Sequence, residues 1–180
     1  MFKNLTQPLN ITLTILVSIA IAWVAFLIVD LLFVAFFHHI LKKHTKGMTV
    51  VVNAKYENIK KIYALFTKYD VPVDGKILQT INTIDTSALS KHDSKEGEDV
   101  RNILSYLKDE ANFIANRNKE VLDKPDFQMM RTYVNELDVQ YRSNIAMYNA
   151  DVLGYNYWIS FLPCRFVFKI FKVKKKNIIA

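Results

Sequence analysis

Cysteine is almost missing from this chain: Cys164 is the single one among 180 residues. That excludes an internal disulfide framework and any cysteine-based zinc cluster. Four glycines and four prolines are too few for a turn-rich β architecture, and no glycine-rich phosphate loop is present. No Glu-x-x-His pair of the kind used by helical di-metal sites occurs. The acids and bases with catalytic potential (Asp70, Asp74, Asp85, His92, Asp138) are scattered without motif spacing. These absences point away from an enzyme, and no cofactor or metal is expected.

The positive charge is unevenly placed. Of the net +7, residues 1–46 contribute four lysines against one aspartate. Residues 47–163 carry 14 Lys/Arg against 16 Asp/Glu, and residues 164–180 carry six Lys/Arg and no acid. The middle of the chain is therefore slightly acidic, which argues against nucleic acid as its partner. Three regions follow: an N-terminal anchor with its juxtamembrane segment (1–46), a helical bundle (47–163), and a basic aromatic tail (164–180).

The stretch from Ile11 to Phe37 is apolar apart from Thr12, Thr14, Ser18 and Asp30. A bilayer core needs about 20 such residues, and Ile11 to Val29 nearly supplies them. As one helix the whole run would be about 40 Å long, so it must tilt or let its last turns emerge. Ala20-Ile21-Ala22 looks like a signal cleavage site, but the apolar run continues far beyond the ~7–15 residues of a signal core. Asp30 is either an intramembrane functional group or, the reading favoured here, a residue at the headgroup boundary. Lys42, Lys43 and Lys46 outnumber Lys3 across the span, which predicts a cytoplasmic bundle. His38, His39 and His44 lie in a stretch without acids and read as juxtamembrane polarity rather than a metal site.

The rest of the chain reads as helices. Tyr56, Ile59, Ile62, Tyr63 and Phe66 recur at helical spacing, and Pro72 ends or kinks that helix. Asp74 is placed to cap a second helix striped by Ile77, Leu78, Ile81 and Ile84. Thr86 to Asp99 is polar and reads as a loop or a frayed helix end. A third helix is expected from Glu98 to Leu122. A long last helix runs from Asp126, its expected N-cap, to Leu162. Its apolar positions recur every three or four residues, close to a coiled-coil repeat. The expected fold class is all-α: a transmembrane helix followed by an antiparallel bundle of three to four helices.

Within the last helix, Tyr148-Asn149 and Tyr155-Asn156 form twin dipeptides seven residues apart, with Val152 between. Phe127 precedes them, Glu136 and Asp138 form an acidic pair, and Ile159 and Pro163 close the run. In this register the segment from Asp126 to Pro163 resembles the C-terminal half of the bacterial LemA family. Upstream, Lys68-Tyr69-Asp70-Val71-Pro72 resembles a second family segment more loosely. The family's arginines before the first Tyr-Asn are not matched here. The resemblance implies a helical bundle on a single-span anchor in a bacterial membrane, without an established enzymatic activity. By spacing alone, the tyrosines suit a bundle core and the asparagines suit register-fixing hydrogen bonds. The alternative is a recognition strip for a protein partner.

In the tail, Phe166, Val167, Phe168, Ile170, Phe171 and Val173 interleave with Arg165, Lys169, Lys172, Lys174, Lys175 and Lys176. That pattern suits an anionic membrane surface, a second contact beside the span; packing on the bundle comes next, and nucleic acid last. Together these features predict a structural or adaptor protein that binds protein partners or self-associates at the inner membrane face. Its rivals are a subunit of a membrane transport or envelope complex and, less favoured, an enzyme.

Overall fold

The computed structural model describes residues 6–160, 165–170 and 172–179, with the side chains of 6–10, 166, 167 and 170 left aside. Lys3, Leu162, Pro163, Cys164 and Phe171, on which parts of the sequence reading fall, lie outside the described residues. Among the described residues every regular element is helical. They are α1 (Thr6–Lys68), α2 (Gly75–Thr83), a 3-10 turn (Thr86–Ser90), α3 (Lys95–Arg117), α4 (Lys119–Leu122), α5 (Pro125–Ser160) and α6 (Arg165–Ile170). The all-α bundle expected from the sequence is what is observed.

The chain divides into two compact units. One comprises Met1–Ile40 with Leu153–Lys176; the other comprises Leu41–Val152 with Asn177–Ala180.

In the first unit, α1 is long and apolar enough to cross a membrane. Its large side chains from Ile11 to Leu32 are mostly exposed, as a helix that is apolar all round would be when no protein covers it. Asp30 is only 3% exposed and is not without a partner. The Phe33 and Trp158 rings stack at 4.9 Å. The Phe37 ring approaches Gly154 so closely that a Cβ there would lie 3.2 Å from it. The glycine that weakens α5 by propensity therefore makes room for an aromatic ring.

The second unit has the core. Tyr56, Ile59, Ile62, Tyr63 and Phe66 are all buried, as their spacing predicted. Helix sense follows from the contacts. Tyr56 Oη donates to the Ile81 carbonyl (3.2 Å), and Thr49 Oγ1 lies 2.9 Å from His92, so α2 and the 3-10 turn run back along α1. Tyr63 Oη donates to the Leu107 carbonyl (2.8 Å), which puts α3 in the sense of α1. Phe66 meets Phe127 at 5.8 Å, and α5 returns. Successive arms are thus antiparallel.

Local chemistry sets the ends. Asp70 adopts a left-handed φ of 53°, and the Val71 amide donates to the Phe66 carbonyl (2.9 Å) while that of Asp70 donates to Thr67 (3.3 Å). This is a Schellman ending, with Val71 and Phe66 both in the core and Pro72 just beyond it. Lys172, at φ 54°, ends α6 in the same way, the Val173 amide reaching the Phe168 carbonyl at 2.9 Å. Asp74 caps α2 through the Lys76 amide (2.9 Å), as expected.

Three boundaries differ from the sequence reading. The third helix starts earlier, at Lys95, because Ser94 Oγ accepts from the Gly97 amide (3.1 Å). It breaks at Asn118, whose side chain donates back to the Ile114 carbonyl (2.8 Å). The last helix begins on Pro125, not after an Asp126 cap: proline suits the first helical position, which needs no donor, and Asp126 sits in the first turn.

Candidate functional site

The tail segment explains the twin Tyr-Asn dipeptides. In the first unit, Asn156 grips Lys176 at two points. Its Nδ2 donates to the Lys176 carbonyl (2.8 Å), and its Oδ1 accepts from the Lys176 amide (2.9 Å). Tyr155 Oη adds a bond to the Lys174 carbonyl (3.1 Å). In the second unit, Asn149 grips Ile179 identically, with both bonds at 2.8 Å, and Ile179 is buried. An asparagine side chain carries a donor and an acceptor in one plane, as a peptide group does. Each amide therefore plays the part of a neighbouring β-strand for one residue. Tyr148 and Tyr155 bury their rings, but the asparagines hold backbone groups of a non-helical stretch of the same chain rather than another helix.

The basic residues of the tail divide accordingly. Arg165, Lys169, Lys172, Lys174, Lys175 and Lys176 all keep exposed side chains, while Phe168 is buried. Grips on backbone atoms leave the cations facing solvent.

The scattered acids and histidines have local roles. Asp74 and Asp85 are caps; the Ser87 hydroxyl and amide hold the exposed Asp85 carboxyl below its ordinary range. His44 Nε2 meets Asp151 at 2.9 Å, and His38 and His39 are exposed. Among the described residues no group of three or more His, Cys, Asp or Glu could hold a metal ion.

His92 is the residue the sequence reading underrated. The stretch read as a polar loop folds inward, burying Ala88, Leu89 and His92. A Cβ on Gly97 would lie 1.8 Å from the Lys91 carbonyl oxygen, so only glycine lets α3 start against this turn. Thr49 Oγ1 donates to the Thr45 carbonyl (2.9 Å) and so accepts from His92 Nε2 (2.9 Å). His92 Nδ1 then accepts from Tyr141 Oη (3.3 Å). Arg101 donates to the His92 carbonyl (3.1 Å). Burial first, then the Arg101 charge, push the imidazole down to about 4, so it is neutral at pH 7.

Beside it, between α1, α3 and α5, lies a cleft of about 470 Å³. Asp138 sits in its wall and accepts from Lys55 Nζ on one oxygen and from Lys108 Nζ on the other, both at 2.6 Å. Burial alone would raise the Asp138 carboxyl, but the two lysines outweigh it and hold it below its ordinary value. Lys55, Lys108 and Asp138 lie far apart in sequence, so no spacing could announce them. Arg101, Arg142 and Asp109 line the same cleft. Searches against protein-family models, curated proteins and solved structures found no match to this chain.

Proposed function

We propose that this protein is a membrane-anchored adaptor: a single-span helix tethers a helical bundle at the inner face of a bacterial membrane, where the bundle binds protein partners or another copy of itself. The resemblance to LemA, carried by Tyr148-Asn149, Val152 and Tyr155-Asn156, supports the reading of a divergent member of that family. The apolar length of α1 supports the anchor, and the lysines at positions 42, 43 and 46 support a cytoplasmic bundle. The basic tail is read as a second, electrostatic contact with anionic lipid.

One observation carries the partner-binding part: the two-point grips of Asn149 on Ile179 and of Asn156 on Lys176. Recognition through main-chain groups accepts an extended segment of almost any sequence, the logic of strand addition at a sheet edge. Leu153 precedes Asn156 by three residues on the same helix face and is exposed. A photo-reactive side chain at position 153, activated in native membranes, should give discrete protein adducts. Deleting residues 172–179 should strengthen them. Links confined to the chain's own 172–179 segment, with none gained on deletion, would sink the proposal.

A second reading, a subunit of a membrane transport or envelope complex acting through oligomerisation, draws on Asp30. A carboxylate buried in an apolar helix is costly to keep and marks a functional position by default.

A further inference from the structure

The cleft between α1, α3 and α5 reverses the charge balance of the region that builds it. Residues 47–163 carry more acids than bases. Yet Lys55, Arg101, Lys108 and Arg142 line this cleft against only Asp109 and Asp138. Asp138 spends one oxygen on each lysine, so a single carboxylate faces two ammonium groups. Lys55 and Lys108 keep only 11% and 22% of their side chains exposed, so water screens this surplus poorly. A cleft with a surplus of one sign concentrates field and draws counter-ions.

Two neutral groups on the same walls, Asn102 and Ser105, carry hydrogen-bond donors. Guanidinium forks pair with tetrahedral oxyanions at two points. The volume of about 470 Å³ falls within the range of small-molecule sites, roughly 300–1,000 Å³. It exceeds what a bare inorganic ion needs.

We propose that this cleft binds a small phosphomonoester, its phosphate held by Arg101, Arg142 and the lysine pair beside Asp138. The site goes beyond the adaptor reading and does not depend on it. The phosphate adds to the lysine pair from the open side, where it shares the ammonium groups with Asp138. Removing the Asp138 charge therefore leaves a place for the ligand rather than destroying one.

The test is thermal unfolding of the full chain in a non-ionic detergent, with inorganic phosphate, glycerol 3-phosphate or dihexanoyl phosphatidic acid as probes. Potassium chloride at matched ionic strength is the control. The wild-type chain should gain a few degrees in Tm, saturably, with glycerol 3-phosphate. A gain confined to the phosphatidic acid assigns the same phosphate site to a lipid headgroup rather than a free metabolite. Arg142→Gln alters an exposed side chain and should weaken the apparent affinity at least tenfold without lowering the Tm in chloride. Asp138→Asn should lower the Tm in chloride and recover more of it with phosphate than the wild type gains. Equal shifts in phosphate and chloride would overturn the proposal. So would a phosphate shift that Arg142→Gln leaves unchanged, which would mark a general salt effect.

Discussion

Acidification should destabilise the bundle over a window set by His92. The unfolded chain titrates this residue near 6.5, whereas the folded imidazole is held at about 4. Between those values the unfolded state binds a proton that the folded state refuses, so stability rises with pH across the window. The contribution is complete above pH 6.5 and is lost as pH falls toward 4. At about 1.4 kcal/mol per pKa unit, the depression corresponds to roughly 3 kcal/mol. Because His92 is only 3% exposed, little of that is relieved by solvent. Urea unfolding of the full chain in detergent, at intervals from pH 4 to 7, would show the slope. His92→Gln should flatten it, since glutamine keeps a donor and an acceptor but does not titrate here. Asp138 acts in a separate window: its carboxyl is depressed, so its contribution is present above the ordinary aspartate range and disappears only below it. A wild-type slope unchanged in His92→Gln would refute the burial argument.

Other outcomes follow from named contacts. Gly97→Ala should cost about 3 kcal/mol by driving a methyl into the Lys91 carbonyl. Gly47→Ala, where a Cβ meets nothing closer than 3.9 Å, should gain about 1 kcal/mol from helix propensity; paired chemical denaturation curves would show the opposite signs. Asp138→Ala should cost about 2–3 kcal/mol, because it strands two ammonium groups that share one half-buried acid, and Lys55→Met in the same background should recover part of the loss. Asn156→Ala removes two bonds to Lys176, worth about 1–2 kcal/mol together. The Lys176 amide should then exchange with deuterium faster, while Leu104 and Leu107 in the core stay protected.

What was legible in the sequence was whatever has a period. Tyr56, Ile59, Tyr63 and Phe66 announced their helix because a buried stripe must recur with the turn. The apolar run from Ile11 onward was plain for the same kind of reason. Asp74 was readable as a cap because its chemistry is local. The turn around His92 was not: Thr86 to Asp99 is mostly polar in composition, and its burial depends on Thr49 and Tyr141 reaching it from other helices. Two signals were there, Ser94 placed to cap and Gly97 alone in a polar stretch, and both mark a tight start to α3. The asparagine grips had only half a signal. The Tyr-Asn repeat pointed to a special strip, but its ligand is the backbone of residues 176 and 179, and backbone atoms have no letter in a sequence.

Anchoring by α1 is the central proposal, and Trp23 reports on it directly. It lies in the middle of the apolar run and is 46% exposed to whatever surrounds the helix. In a Trp158→Phe background the chain can be reconstituted into vesicles carrying nitroxides at graded depths along the acyl chains. Trp23 fluorescence should be quenched most strongly by the deep nitroxides and hardly at all by aqueous iodide. Quenching by iodide, with no dependence on nitroxide depth, would contradict the anchoring.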